Sequence, residues 1–558
     1  MRRLILAICL VMVGGSGMGF AAHPALATSL CVGSGPGCYS TIQQALDKAD
    51  NGDVIHIESG TYSGTTPSPI VITKSVQIIG AGAGSTTIQG GGPVVTIGTA
   101  DGTVEPTVSI TGVTVTGGSN TSVPSPSNTR GGGILVLPAA PNQPGATVAI
   151  TNSVITGNSV TTTEISCGAG CTLSVTAGGG IANFGTMRLS NTVVSHNHVI
   201  WDASSAPDTV RSLGGGIKNN GSLTLQSSTV SDNTVSFNTA ALLPDAFAGG
   251  GGIDTAGTAT LRIDGSTIRS NTVSLTSTSQ DPMSGIDDIG GGVHVQPGGQ
   301  TTIRGSQITG NSVTATGYGG FLGAASGGID DEGSLTLLDS TVSDNHARTT
   351  ITSTLTTLVS IATAGGLGVP GSATIKDTRF SGNSATGTSP AAAFGPPNGQ
   401  FSGTFALGGA IFVGGSPQIP GPVTLTDSVI TDNRAVATTT SGNVFAGGGG
   451  IANTGGLTLR GTTVSHNTGS ANGPSGFAGG GGIWNDKASD LPAPHLTLVD
   501  STITSNSLVG SNPAITLQGG GLFNGTSNGA TVTATNTVIA RNAPDNCYPP
   551  NVIPGCSS

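Results

Sequence analysis

The sequence predicts an all-β protein that folds as a single-stranded, right-handed parallel β-helix, a solenoid, on three observations. A segment of 20 residues recurs, reading GGGIKNNGSLTLQSSTVSDN from Gly214 and GGGIANTGGLTLRGTTVSHN from Gly448. Eleven such units close on an asparagine, at intervals of 34 to 50 residues, and repeats of this length indicate solenoids or propellers. Each unit contains three short stretches of alternating apolar and polar residues, as expected for strands with one buried face. The closing residues are Asn158, Asn197, Asn233, Asn271, Asn311, Asn345, Asn383, Asn433, Asn467, Asn506 and Asn542.

A fixed corner separates the second and third stretches of each unit. Most residues there are asparagine, aspartate or glycine, which tolerate the left-handed backbone conformation. Three strands with tight corners match one coil of a parallel β-helix, whereas a propeller blade needs four antiparallel strands joined by hairpins. The corner residues are Asn152, Asn191, Ser227, Gly265, Gly305, Asp339, Asp377, Asp427, Gly461, Asp500 and Asn536.

Stacking of the coils accounts for the residues that recur. Neighbouring coils of a β-helix lie about 4.8 Å apart, so equivalent residues of successive units lie directly above one another. We therefore expect the eleven closing asparagines to form one internal ladder, with amide side chains hydrogen-bonded along the stack.

The chain divides into four segments. Residues 1–27 are expected to be a signal peptide, because Arg2 and Arg3 precede an apolar run and a small-residue cleavage site that ends at Ala27. The alternative, a membrane anchor, is disfavoured because the apolar run is short. Residues 28–130 are expected to hold the N-terminal cap and first coils, 131–542 the β-helix repeats and 543–558 a C-terminal cap. We expect the mature protein to be secreted or at the cell surface, without a membrane span.

Cysteine use and charge agree with export. Apart from Cys9, six cysteines occur as three close pairs, and local disulfides are the simplest interpretation in an oxidising compartment. Metal binding by these cysteines is less favoured, because no histidine cluster accompanies them. A net charge of −10 argues against nucleic acid as a partner. The expected disulfides are Cys31–Cys38, Cys167–Cys171 and Cys547–Cys556.

Two resemblances to known families also predict a parallel β-helix. The segments TIQQA from Thr41, GDVI from Gly52 and GTY from Gly60 resemble the N-terminal region of pectin-lyase-like β-helix proteins. That resemblance implies a short helix that caps the open end of the stack. The repeated GG-[A/G]-I and x-x-N elements of residues 131–542 resemble the repeats of chlamydial polymorphic outer-membrane proteins, although Val or Ile mostly replaces their Phe. They resemble equally the generic parallel β-helix repeats of bacterial secreted proteins. This second resemblance implies a surface module, often adhesive.

A connection of about a dozen to two dozen residues joins each coil to the next, for example Thr349 to Ala364. We expect these connections to be loops that build a wall or groove along the helix, where solenoids usually bind their partners. Several carry a phenylalanine shortly before the Gly-rich start, which either stacks inward or forms a platform for sugar. These are Phe247, Phe405, Phe445 and Phe477.

One line of polar residues is a candidate ligand-binding site. The residue after the aliphatic residue of GGGI points away from the core, because side chains alternate along a strand. Four successive units place Lys218, Asp254, His294 and Asp330 at this position, and we expect them to be exposed. Such a line could bind a metal or a sugar chain, or perform acid-base chemistry. The alternative is a solvated ladder of alternating charges.

The sequence contains no complete constellation of a polysaccharide-cleaving enzyme. Only Asp287-Asp288 and Asp330-Asp331 match part of the polygalacturonase set, whose G-H-G and R-I-K elements do not occur. We expect no cofactor, with Ca²⁺ as the alternative, because a charged content of 8% leaves few candidate ligands.

These features favour an exported, non-enzymatic binding or adhesion module whose partner is an extracellular polysaccharide or a cell-surface molecule. The alternative is a polysaccharide lyase or glycoside hydrolase that acts on an extracellular polysaccharide. Convergence of carboxylates and a base in a concave groove would favour the enzyme.

Overall fold

A computed structural model describes residues 27–556 except 64–69, 123–127, 142–144, 164–173, 204–208, 240–244, 279–284, 319–320, 353–358, 391–402, 415–420, 488–491 and 552. The expected signal peptide and the expected Cys167–Cys171 pair lie outside the described residues. The chain is a parallel β-helix, in which each strand pairs in parallel with the equivalent strand of the next coil. The predicted fold class is therefore confirmed, and the right-handed sense stays a prediction.

The three predicted stretches of each unit form three stacked sheets that surround the main core. Sheet 1 follows the Gly-rich start, sheet 2 contains the L-T-L stretch and sheet 3 ends two residues before the closing asparagine. The strands of sheet 1 are Ile70–Ile72, Val95–Ile97, Ile134–Val136, Ile181–Asn183, Ile217–Asn219, Ile253–Thr255, Val293–Val295, Ile329–Asp331, Leu367–Val369, Ile411–Val413, Ile451–Asn453, Ile483–Asn485, Leu522–Asn524 and Cys547–Tyr548. Those of sheet 2 are Ser29–Val32, Val54–Ile57, Gln77–Gly80, Thr107–Thr111, Thr147–Thr151, Thr186–Ser190, Ser222–Gln226, Thr260–Asp264, Gln300–Arg304, Ser334–Leu338, Ser372–Lys376, Val423–Thr426, Gly456–Arg460, His495–Val499 and Thr531–Thr535. Those of sheet 3 are Gly60–Ser63, Thr86–Gln89, Thr114–Thr116, Val154–Thr156, Val193–Ser195, Thr229–Ser231, Thr267–Arg269, Gln307–Thr309, Thr341–Ser343, Arg379–Ser381, Val429–Thr431, Thr463–Ser465, Thr502–Thr504 and Val538–Ala540.

The connections between coils are not loops throughout, which corrects the sequence-based expectation. From residue 119 to residue 518, each connection contributes two further strands among the described residues, because its alternating Ser, Thr, Ala and Val residues suit pleated, half-buried surfaces. Sheet 4 contains Ser119–Ser122, Ser159–Thr163, His198–Ala203, Thr234–Thr239, Thr272–Ser277, Ser312–Gly317, His346–Ile351, Ser384–Ser389, Arg434–Thr439, Thr468–Asn472 and Ser507–Gly510. Sheet 5 contains Asn128–Arg130, Ser174–Ala177, Thr209–Leu213, Asp245–Gly249, Gly285–Ile289, Phe321–Ala325, Val359–Thr363, Gly403–Leu407, Asn443–Gly447, Ser475–Gly479 and Ile515–Gln518.

Sheets 4 and 5 pack face to face and form a side sandwich with its own apolar core. Trp201 and Phe237 stack there with ring centroids 4.5 Å apart, and both side chains are fully buried. Leu322 and Ala324 of sheet 5 belong to the same cluster. The connections between coils therefore form a second packed layer beside the three sheets of the main core.

The closing asparagines form the predicted ladder. From Asn158 to Asn506, each side-chain amide donates to Oδ1 of the asparagine in the next coil at 2.9–3.0 Å. The eleven corner residues have φ between 48° and 57°, as their composition predicted. The predicted asparagine ladder and the predicted left-handed corners are thus both confirmed.

The two ends are tied down by short elements. At the N-terminal end an α-helix, Ile42–Lys48, begins at Thr41, whose hydroxyl accepts the backbone N–H of Gln44. This helix buries Ile42 and Leu46 against the first strands. A 3₁₀-helix, Thr526–Asn528, precedes the last strand of sheet 2. The predicted disulfides Cys31–Cys38 and Cys547–Cys556 are both present. Within the described ranges, neither helix has the length and hydropathy of a membrane span.

Candidate functional site

The candidate site lies where sheet 5 folds back against the outer face of sheet 1. A Gly-rich turn connects the two strands, and Gly250 there has φ of +64°, a conformation that side chains rarely adopt. A Cβ atom on Gly252 would lie 2.9 Å from Asn271 Nδ2. Glycine at this position therefore allows the asparagine ladder to lie close to the Gly-rich turn. We call the facing side chains of the two sheets the 1/5 interface.

The structure brings together the four polar residues that the sequence placed in one line. Lys218 pairs in register with Asp254, which pairs with His294, which pairs with Asp330. Their expected exposure is wrong, because all four are at most 4% exposed. Strand alternation correctly directs them away from the main core, but the side sandwich covers that face. Phe247 of sheet 5, for example, lies with its ring centroid 5.2 Å from that of His294.

These side chains form a continuous buried network. Lys218 makes an ion pair with Asp254 Oδ1, and Asp254 Oδ2 lies 2.9 Å from His294 Nδ1. The opposite ring nitrogen, His294 Nε2, lies 3.3 Å from Glu332 Oε1. Gln296 Nε2 donates to Asp254 Oδ1 at 3.2 Å. Neighbouring side chains of opposite charge thus pair in the buried 1/5 interface, where an unpaired charge would destabilise the fold.

The surroundings set the protonation of Asp254 and His294. Burial alone would raise the pKa of Asp254, but the charges of Lys218 and His294 lower it to about 2. Burial would likewise lower the pKa of His294, but its hydrogen bonds to Asp254 and Glu332 raise it to about 9. At neutral pH the protein therefore holds His294 as an imidazolium between the side chains of Asp254 and Glu332.

Asp330 and Asp331 are buried carboxyl groups on opposite faces of one strand. Burial is the main cause that raises the pKa of each to about 7. Asp330 Oδ1 accepts a hydrogen bond from Ser326 Oγ at 2.6 Å, and Asp331 Oδ1 accepts the backbone N–H of Gly333 at 2.9 Å. Asp330 shares the 1/5 interface with Glu332, whose side chain is 28% exposed.

Beyond Gly368 the same interface becomes aromatic. The Phe445 ring lies 5.4 Å from Phe477 and 5.6 Å from Trp484, measured between centroids. Phe523 lies 5.2 Å from Phe477 and 5.5 Å from Tyr548. Trp484 and Phe523 are buried, whereas the rings of sheet 5 are half-buried. The phenylalanines therefore both pack against one another and present surface. The full aromatic row comprises Phe405, Phe412, Phe445, Phe477, Trp484, Phe523 and Tyr548.

Sequence reasoning missed Glu332, Gln296 and Ser326 as members of the network. Glu332 and Gln296 stand two residues after Asp330 and His294, so strand alternation alone places them on the same face. Ser326 lies in the Gly-rich turn, and no periodic signal places its hydroxyl beside Asp330.

No family model matches the sequence, and no curated protein does. Among solved structures, the chain is similar to a variant catalytic domain of a GH87 alpha-1,3-glucanase in complex with tetrasaccharides, with 11% identity, 92% of this chain and 70% of that chain covered, and a TM-score of 0.30. It is also similar to the Azotobacter vinelandii mannuronan C-5 epimerase AlgE6 A-module, with 14% identity, coverage of 88% and 94%, and a TM-score of 0.27. Similarity at this level concerns the fold alone.

Proposed function

We propose that the protein acts outside the cell as a non-enzymatic module that binds an uncharged polysaccharide along the aromatic row of the 1/5 interface. Seven rings from five successive coils support this proposal, because they form one row that is only partly buried. Two disulfides at the ends of the helix fit an oxidising, extracellular location.

The spacing of the coils suits an extended sugar chain. Strands of successive coils lie about 4.8 Å apart, so the row offers ring surface at a regular interval. An aromatic ring provides a rigid, apolar surface on which the apolar face of a pyranose can pack at low entropic cost. The net charge of −10 disfavours acidic polysaccharides, which the protein would repel.

Binding to a panel of neutral and acidic polysaccharides tests this function. We expect the full chain to be retarded in affinity electrophoresis by a neutral polysaccharide and not by alginate or pectin. Phe445→Ala and Phe477→Ala should each weaken that binding about tenfold, equivalent to about 1.4 kcal/mol. Phe184→Ala is the matched control, because Phe184 is also half-buried but packs under Arg130 outside the row. Unchanged binding in both row variants would contradict the proposal.

A second candidate, a glycoside hydrolase, is supported by one observation. The raised pKa of Asp330, about 7, suits a general acid, and Glu332 supplies a second carboxylate on the same face. It ranks second because Asp330 is only 4% exposed. Release of reducing ends from neutral polysaccharides by the wild type, abolished in Glu332→Gln, would establish this activity instead.

A further inference from the structure

We propose that His294, Asp330 and Glu332 form a binding site for a transition-metal dication such as Zn²⁺, at the charged end of the 1/5 interface. This site does not depend on the proposed polysaccharide binding, because it shares no residue with the aromatic row.

The ligand atoms already lie together. One nitrogen of His294 and one carboxylate oxygen from each of Asp330 and Glu332 lie within 4.8 Å of one another. His294 Nε2 and Glu332 Oε1 are 3.3 Å apart. Two ligands on a tetrahedral zinc ion with bonds of about 2.0–2.1 Å are separated by about 3.3 Å. A metal that displaces the Nε2 proton of His294 would thus fit this pair without a change in their separation.

An unpartnered oxygen points independently to a ligand. Asp330 Oδ2 is buried and has no hydrogen-bond partner among the described residues. Ser326 occupies the other oxygen, Oδ1, and holds the carboxyl group in place. A buried carboxylate oxygen without a partner is costly, and a bound cation would satisfy it.

The environment of His294 is that of a metal ligand. Asp254 Oδ2 contacts His294 Nδ1, which fixes the ring and directs Nε2 towards Glu332. Metal-binding histidines commonly have a carboxylate on the second ring nitrogen. Lys218 compensates the charge of Asp254, so the two remaining carboxylates are available to balance a dication.

Gly368 accommodates the Asp330 carboxyl group and the Ser326 hydroxyl beside it. A Cβ atom at this position would lie only 2.6 Å from Asp330 Oδ1 and would also clash with Ser326 Oγ. Because it has no side chain, Gly368 in the next coil leaves room for the Asp330 carboxyl group.

The ligand set favours zinc-like ions over Ca²⁺. One imidazole and two carboxylates are typical of Zn²⁺ and related ions, and three protein ligands leave a position for water. Ca²⁺ requires six to eight oxygen ligands. This choice differs from the Ca²⁺ alternative that the sequence left open.

The test uses the untagged mature chain after chelator treatment and exchange into metal-free buffer. Titration with Co²⁺ should produce the visible absorption of a four-coordinate site and saturate near one equivalent, and Zn²⁺ should abolish this signal by competition. Glu332→Gln should weaken Co²⁺ binding at least tenfold. The Glu332→Gln variant should remain folded, as measured by circular dichroism, because the side chain at position 332 reaches solvent. Asp254→Asn, a change in a positioning residue, should weaken binding about 10- to 100-fold.

Two controls separate this site from other causes. Asp377→Asn changes a carboxylate whose side chain is 47% exposed and should bind Co²⁺ like the wild type. Phe445→Ala should also retain the metal, so a failure of polysaccharide binding and a failure of metal binding are distinguishable. The proposal is overturned if the wild type takes up no Co²⁺ or Zn²⁺, or if Glu332→Gln binds both as tightly as the wild type.

Discussion

The two halves of the line on sheet 1 share one backbone position but differ in chemistry. In the first half, Lys218, Asp254 and His294 pair in successive coils and are fully enclosed. In the second half, Phe412 and Trp484 occupy the same position beside half-buried rings of sheet 5. The comparison shows that strand alternation sets the direction of a side chain, while the layer packed against it determines its environment. We therefore expect changes in the charged half to affect stability most, and changes in the aromatic half to affect mainly binding.

The largest effect is expected for Asp254→Ala. This change leaves Lys218 and His294 buried without their shared carboxylate, so the free energy of unfolding should fall by about 3–5 kcal/mol. Urea unfolding followed by circular dichroism measures the change. Asp377→Asn, at an exposed corner whose left-handed backbone asparagine also tolerates, should change the same free energy by no more than about 0.5 kcal/mol. Equal effects in the two variants would mean that the network is not buried.

A large loss of stability in Asp254→Ala is the opposite of what the sequence predicts, because an exposed Asp254 could be replaced with little effect on stability. The Asn ladder, the corners and the direction of Asp254 follow from local spacing, because one register repeats in every coil. The side sandwich could not be predicted, since its Ser, Thr and Ala residues resemble those of loops and its strands acquire order by stacking on their neighbours. The exposure of Asp254, and with it the character of the site, depends on that layer.

The charged half should also make stability depend on pH. The pKa of His294 rises from 6.5 to about 9 on folding, so its stabilisation is complete below pH 6.5 and is lost as pH rises through 9. The raised pKa values of Asp330 and Asp331, each about 7, add losses of stability as pH rises from about 4 to 7. The lowered pKa of Asp254 has the opposite sign, and its contribution is lost as pH falls from about 4 to 2.

Metal-free protein should therefore lose on the order of 3 kcal/mol between pH 6 and 10 through His294, at about 1.4 kcal/mol per pKa unit. Unfolding midpoints measured at pH 6, 8 and 10 test this. Phe445→Ala should keep the slope of the wild type, whereas His294→Gln should flatten it. A wild-type profile that rises towards pH 10 would contradict the protonation assigned to His294.

A smaller effect is expected at Gly368, where the two halves meet. Gly368→Ala places a Cβ against Asp330 and Ser326 and should reduce the free energy of unfolding by about 1–3 kcal/mol. Gly456→Ala is the matched control, because a Cβ there meets no atom within 4 Å. The control should be neutral or slightly stabilising. Thermal unfolding of the two variants compares them directly, and an equal loss would show that the Asp330 carboxyl group has room to move.

The smallest effect on stability is expected for Phe477→Ala in the aromatic half. The Phe477 ring contacts Phe445 and Phe523 but remains half-buried, and its removal leaves no polar group unsatisfied. The free energy of unfolding should fall by about 1–2 kcal/mol, less than the roughly 3–5 kcal/mol of a fully buried phenylalanine. Phe237→Ala, in the closed core of the side sandwich, provides that larger reference, because its ring is completely buried. Urea unfolding of the two variants side by side measures the difference. If Phe477→Ala costs as much as Phe237→Ala, the aromatic row is closed core and offers no surface to a sugar chain.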